Sequence, residues 1–194
     1  KSGAEIVNEA TLFFKYSKSK NIIGITGTKG KSTTSTLIYK IIKAKYKNAL
    51  LAGNIRDTVM MEIADRVEKN TPAVLELSSW QLEGLEKIRT SPRIAVITNI
   101  YQDHLNRYPS YRAYIAAKEN ILKFQKNEDC AILNYDNAIL KTLGEKYAKK
   151  GRKIIWFSKI KKVNGAYLKN GWIYFDSQKI MPLSEIQIPG EHNI

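Results

Sequence analysis

Lys31, Ser32, Glu76, His104 and Lys118 are the side chains whose types and positions could do chemistry together, and that chemistry is metal-assisted handling of phosphate. The segment NIIGITGTKGKSTTSTLIYKIIKAK, residues 21 to 45, joins a short apolar strand, a Gly-rich turn, Gly-Lys-Ser-Thr and a helix. A turn made by Gly27 and Gly30 lets backbone N–H groups close on a polyphosphate, and the N-terminus of the following helix adds its partial positive charge. In such a loop Lys31 binds the β and γ phosphates and Ser32 a Mg²⁺ ion. The pattern G-x-x-x-x-G-K-[ST] is incomplete, because Ile25 stands where the first glycine belongs. The alternative is a Gly-Lys-Ser run that merely starts a helix, with Ser32 or Thr33 as its cap. The motif counts only between a strand and a helix, and both flanks are present: Ile22, Ile23 and Ile25 before it, and Leu37, Ile38, Ile41 and Ile42 at helical spacing after it.

Glu76 stands among Val74, Leu75 and Leu77 in a run that reads as buried on both faces. A carboxylate there needs a cation. Mg²⁺, a hard ion that takes oxygen ligands and phosphates together, meets that need, and so does a structural ion pair with a lysine. The two histidines both fall in loops, His104 in YQDHLNRY and His192 in PGEHN. His104 lies beside an acidic residue and past a strand end, which favours function over simple solvation. For His192 both readings stand. Lys118, in YRAYIAAKENILKF, shares a helical stripe with Tyr111, Tyr114, Ile115, Ile121 and Leu122. Burial favours the neutral amine, the form that carbamylation by CO₂ or chemistry near a metal requires. The alternative is a lysine whose ammonium snorkels out of the core.

These groups need strands that end together. Apolar runs at 21–26, 48–52, 72–77, 93–98, 130–133 and 153–157 read as strands, and 32–46, 57–69, 110–125 and 136–149 as helices. The alternation predicts an α/β fold: a P-loop-containing, doubly wound, mostly parallel sheet with helices on both faces. In such a sheet ligands sit beyond the carboxyl ends of the strands, where the phosphate loop, Glu76 and the Thr98–His104 loop all lie. Beyond residue 158, GAYLKNGWIYF places two aromatic-rich runs around Asn170-Gly171, a hairpin signal. A small antiparallel β unit is therefore expected near the C-terminus.

With 194 residues, 43% of them hydrophobic, the chain can bury a core as one principal domain. The net charge of +14 invites a nucleic-acid reading, but 25 of the 32 basic residues are lysines spread along the chain without a block. Attraction of anionic nucleotides accounts for the charge without any nucleic acid. One cysteine, Cys130, rules out an internal disulfide. With no signal-like segment and no apolar stretch near ~18 residues, no membrane span is expected, and the cytoplasm is the simplest location.

Taken together, GTKGKST, GNIR, ELSSWQLE, NIYQDHLNRY, YIAAK and GEHN resemble the Mur ligases, ATP-dependent amide ligases of peptidoglycan precursor synthesis. The order and spacing match throughout. ELSSWQLE and the Gly53-Asn54-Ile55 loop are most similar to the D-glutamate-adding branch. The resemblance implies UDP-N-acetylmuramoyl-L-alanine and glutamate as substrates, ATP as phosphoryl donor, and an acyl phosphate on the way to the amide. It implies ATP contacts at Gly27, Thr28, Lys29, Gly30, Lys31, Ser32, Thr33 and Asn193, and precursor contacts at Asn54 and Ser78. Lys31, Glu76, His104 and Lys118 would be the catalytic set. Two Mg²⁺ ions are implied, one held by Ser32 and Glu76, the other by His104 with a carbamylated Lys118. The chain would then be the central ATPase domain, residues 21–194, entered through a linker at 1–20, with N- and C-terminal domains missing.

Three positions depart from the family pattern: Lys29 for a usual asparagine, Arg56 for a usual glycine and Asn137 for a usual aspartate. Lys29 adds charge beside the phosphates and removes no backbone donor, whereas Arg56 alters the precursor loop. The rival readings are a related ligase with another acceptor, against which SSWQLE argues, a nucleotide-binding module without catalysis, and a nucleic-acid-dependent ATPase.

Overall fold

In the computed structural model, residues 7–55 and 58–188 are described. The chain runs through α1 (Glu9–Tyr16), β1 (Ile22–Thr26), α2 (Lys31–Lys45), β2 (Leu50–Gly53), β3 (Ala73–Glu76), α3 (Ser79–Lys87), β4 (Ile94–Ile97), α4 (Tyr111–Lys123), β5 (Cys130–Asn134), α5 (Ala138–Ala148) and β6 (Lys153–Ser158). It ends in β7 (Gly165–Lys169), β8 (Trp172–Phe175) and β9 (Gln178–Pro182). The nine strands of the described residues form one sheet in the order β2-β3-β1-β4-β5-β6-β7-β8-β9. Every pairing from β2 to β7 is parallel, and β7-β8-β9 are antiparallel. The α/β expectation holds, with one refinement. The C-terminal hairpins extend the main sheet, because β7 pairs in parallel with β6 before the chain turns back. Asn170 and Gly171 make that turn with φ of 49° and 71°, the conformation that the Asn-Gly signal predicts.

Strand residues alternate between two unequal layers. Ile22, Ala73, Leu75, Ala95, Ile97 and Leu133 face a large core completed by α1, α3, α4 and α5, whereas Ile23, Ile25, Val74 and Val96 face α2. The central strands are therefore apolar on both sides, as buried parallel strands are. On α2 only half of the expected stripe packs. Ile38 and Ile42 meet the sheet, while Ile41 is 72% exposed and Leu37 also lies outside. One helix covering this face presents a narrower contact than the sequence stripe suggests.

Three local differences have physical causes. Residues 60–66 form a 3-10 helix where an α-helix over 57–69 is expected, with Met60 and Ile63 as its buried anchors. α3 is not anticipated: it is short, largely polar and interrupted by Gly84. It is held by a capping box in which Ser78 Oγ accepts from Gln81 N and the Gln81 side chain accepts from Ser78 N. The approach segment contains α1, whose Phe13 is 1% exposed and belongs to the main core. It crosses α3 at Gly84, where an added Cβ would lie 2.3 Å from the Asn8 side chain. Asn8 caps α1 and also donates to the carbonyls of Trp80 and Gln81 at 3.1 and 3.2 Å.

Candidate active site

The chain changes direction around β1. After β1 it crosses by α2 on one face, and after β3 by α3 on the other, so the loops behind β1, β3 and β4 open a crevice at the sheet's carboxyl edge. A cleft of roughly 330 Å³ occupies that place, lined by the phosphate-loop residues Gly27 and Lys31, by Asn54 and Ser78, by His104 and Arg107, and by Tyr114 and Lys118.

The loop from Gly27 to Gly30 is braced by the strand next door. Thr28 N donates to Asn99 O at 2.9 Å, Lys29 N to Asn99 Oδ1 at 2.9 Å, and Thr98 Oγ1 to Lys29 O at 2.7 Å. Gly27 must be glycine, because a Cβ there would lie 1.9 Å from Thr98 Oγ1. Gly30, at φ 79°, is the N-cap of α2 and supplies no side-chain cap. Ser32 and Thr33 therefore do not cap this helix. The first-turn N–H groups of a helix have no intrahelical acceptor, and here no side chain caps them, which leaves them for an anion. Lys31 Nζ donates to Thr28 O at 3.2 Å, which folds the side chain over the loop.

Glu76 ends β3 and is 1% exposed. Asn54 Nδ2 reaches its Oε1 at 3.4 Å, and Asn54 N donates to its carbonyl at 2.8 Å. Among the described residues its buried Oε2 has no hydrogen-bond partner, which is where a cation would bind. Ser78, two residues on, lines the cleft, although its hydroxyl also serves the α3 cap.

Lys118 is 2% exposed, so the snorkelling alternative fails. Its Nζ donates to Gly27 O at 2.9 Å and to Thr26 Oγ1 at 3.4 Å, and sits 4.9 Å from the Tyr114 ring centroid. Burial first, and then the positive Lys31, push its pKa down to about 7, with Asp103 opposing. Tyr114 joins α4 to the loop through a 3.2 Å hydrogen bond between its hydroxyl and Thr28 Oγ1. His104 stands in an exposed turn at φ 54°, with Nε2 3.6 Å from Asp103 Oδ2 and its ring 5.8 Å from that of Tyr114.

Of the expected site residues in the described segments, Gly27, Lys31, Asn54, Ser78, His104 and Lys118 line one cleft. Glu76 lies behind Asn54, whose side chain it contacts, and Thr28, Lys29, Gly30, Ser32 and Thr33 are not part of the lining. Asn193, His192 and Arg56 lie outside the described residues. Trp80, Asn106 and Arg107 also line the cleft and were not anticipated. The available signal was the position of Arg107 in the His104 loop and of Trp80 just after the α3 cap. Among the described residues no cluster of three or more His, Cys, Asp and Glu could hold a metal. A cation here would share Glu76 with hydroxyl and phosphate oxygens, a donor set that suits Mg²⁺. No helix among the described residues is long and apolar enough to cross a membrane.

The sequence pattern of the Mur ligase middle domain matches residues 25–194. The chain belongs to this family. Among curated Mur ligases it is 41% identical over 194 residues to the UDP-N-acetylmuramoylalanine–D-glutamate ligase of Geobacillus sp. (strain WCH70), covering 99% of this chain and 41% of that protein. It is 41% identical over 197 residues to the enzyme of the same name from Clostridioides difficile (strain 630), covering 100% and 42%. The chain thus spans about two fifths of the length of these relatives. Mur ligase structures share the fold at low identity. One MurF structure from Acinetobacter baumannii superposes with a TM-score of 0.68 at 20% identity, over 95% of this chain and 42% of that one. MurF from Thermotoga maritima in complex with ADP gives 0.61 at 20% identity, over 88% and 42%.

A second cleft, of about 370 Å³, lies between α3, α4 and α5. Its carboxylates are already engaged, Glu86 by Lys123 and Glu119 by Lys146 and Tyr147. It holds no counterpart of the phosphate loop.

Proposed function

We propose that this chain is the ATP-binding domain of a cytoplasmic ligase that adds D-glutamate to UDP-N-acetylmuramoyl-L-alanine, with release of ADP and phosphate. The observation that carries the reading is the contact between buried Lys118 and the phosphate-loop carbonyl of Gly27, together with a buried Glu76 that has one oxygen unpartnered among the described residues. The identity to relatives named for that reaction supports the choice of substrate. The flanking N- and C-terminal domains of the same enzyme would supply the remaining substrate contacts, residues 1–20 leading in from the first of them. Neither nucleic acid nor membrane has a part in it.

In this reading the backbone of Gly27–Thr33 binds the ATP phosphates, and Lys31 neutralises charge as it shifts from the γ-phosphate toward ADP. Asn193 would contribute to the nucleotide contacts. Asn54 and Ser78 orient the precursor so that its L-alanine carboxylate oxygen attacks the γ-phosphorus and ADP leaves. The glutamate amine then attacks the acyl phosphate, loses a proton, and expels phosphate as the amide forms. Ser32 and Glu76 would hold one Mg²⁺, and His104 with Lys118 a second; bound there, the ions would neutralise phosphate charge and align the reacting oxygens. The neutral Lys118 amine can add to CO₂ with loss of a proton, giving the carbamate that would serve as ligand.

The test is phosphate release by the parent polypeptide with Mg-ATP and UDP-N-acetylmuramoyl-L-alanine, comparing D-glutamate, L-glutamate and neither. Release that requires the precursor and D-glutamate supports the reading. ATP binding without release for either isomer overturns it.

A further inference from the structure

The two walls of the active cleft come from opposite faces of the sheet. One is the phosphate loop with the first turn of α2. The other is formed by Ser79 and Trp80 at the start of α3 together with Asn106 and Arg107 from the loop after β4. A nucleotide seated on the phosphate loop meets Lys31. A cation on the other wall faces whatever reacts with that nucleotide.

Arg107 is that cation, and its position is built. Its guanidinium carbon lies over the Trp80 ring, 3.6 Å from the centroid, a close cation–π contact. Trp80 is otherwise 59% exposed, so its packing role at this site is directed at the guanidinium. The backbone is fixed as well. Arg107 N and Tyr108 N both donate to His104 O at 3.0 Å, and the buried Tyr108 ring anchors the turn. The nearest carboxylate, Glu83, stands 3.8 Å away with both side chains about two fifths exposed. That is too long for a hydrogen bond and too solvated to hold the fork strongly. The stack covers one face of the guanidinium, and its edge, beside the Tyr108 hydroxyl and the solvated Glu83, has no close carboxylate among the described residues to hold it.

We infer that Arg107, held over Trp80, binds an anionic group of the UDP-linked acid substrate and is a specificity determinant for it; this rests on the ligase reading above. A guanidinium fork suits planar or tetrahedral oxyanions. The substrate offers two, its diphosphate and its L-alanine carboxylate. Trp80 is a positioning residue that acts through Arg107.

The experiment uses the parent polypeptide and the variants Arg107→Ala, Arg107→Lys and Trp80→Ala, with ATP and precursor varied separately. Loss of a charge-assisted contact predicts a rise in KM for the precursor of about ten- to a hundredfold in Arg107→Ala. KM for ATP and the melting temperature stay at wild-type values. Arg107→Lys recovers part of the loss, and Trp80→Ala moves the same KM by less. Repeating the comparison with N-acetylmuramoyl-L-alanine, which lacks UDP, separates the two anions. An Arg107→Ala effect that vanishes assigns the diphosphate, and one that persists assigns the carboxylate. An unchanged precursor KM, an equal rise for ATP, or a lowered melting temperature overturns the inference. Wild-type protein that releases no phosphate with either glutamate isomer overturns the ligase reading itself. Turnover that Arg107→Ala leaves unaltered overturns only the role of Arg107.

Discussion

Lys118 Nζ lies 2.9 Å from the carbonyl oxygen of Gly27. The side chain starts on α4, on the sheet face opposite α2, and ends beneath the loop that starts α2. A buried amine thus ties the two layers together at the point where phosphate would bind. Its burial is costly when it is charged and is relieved when it is neutral.

That cost has a sign that can be measured. The Lys118 pKa is about 7 in the folded protein against 10.5 for the unperturbed side chain. Between those values the unfolded chain holds a proton that the folded chain lacks, so stability rises with pH, by up to about 1.4 kcal/mol per unit. The penalty is complete below about 7 and gone above 10.5. In urea unfolding from pH 6 to 10, Lys118→Met should remove this rise relative to wild type. Parallel curves would show that Lys118 is not depressed.

Gly27→Ala should destabilise the domain by about 2 kcal/mol or more, as overpacking does, because the new methyl would meet Thr98 Oγ1 at 1.9 Å. In a Thr98→Ala background the added cost should shrink, since the hydroxyl is the nearest obstacle. Denaturant midpoints of the four proteins test this. Equal costs in both backgrounds would put the constraint in the backbone of Gly27 rather than in Thr98.

The parallel sheet was legible because Ile22–Ile25, Ala73–Leu75 and Ala95–Ile97 are continuous apolar runs, and such runs between helical patterns have few other solutions. Lys118 was legible for the converse reason: a cation on an apolar stripe is conspicuous. α3 was not, because its short polar stretch has no apolar period and is held by α1 packing over Gly84, a contact between segments some seventy residues apart; the one local signal was the Ser78–Gln81 capping box. The same holds for Arg107, whose place depends on the exposed Trp80 ring of another helix. Periodicity reports what a segment buries against the sheet. It carries no signal for a stack at the rim.

The helix before β1 should contribute to stability as much as a core element does. Phe13 is 1% exposed and its ring meets Phe14 edge-on at 6.3 Å. Phe13→Ala is expected to cost about 3–5 kcal/mol, the range for a large aromatic removed from a core. A Tyr16→Ala control, at a side chain 69% exposed, should cost little. Similar urea midpoints for the two variants would show that α1 docks weakly.

Glu76 offers the sharpest separation of a structural from a metal-binding carboxylate. Among the described residues its buried Oε2 has no partner and Oε1 has only the 3.4 Å contact from Asn54. Glu76→Gln keeps the shape and removes the charge. Without metal, the variant should be at least as stable as wild type, since a buried, poorly paired charge has been deleted. With Mg²⁺, its affinity for a fluorescent ADP analogue should gain less from the ion, with the Mg²⁺ midpoint raised about tenfold or more. Melting temperature in chelator and a Mg²⁺ titration of nucleotide binding measure the two effects separately. A lowered melting temperature with an unchanged Mg²⁺ midpoint would assign Glu76 a structural role within the fold and remove it from the metal site.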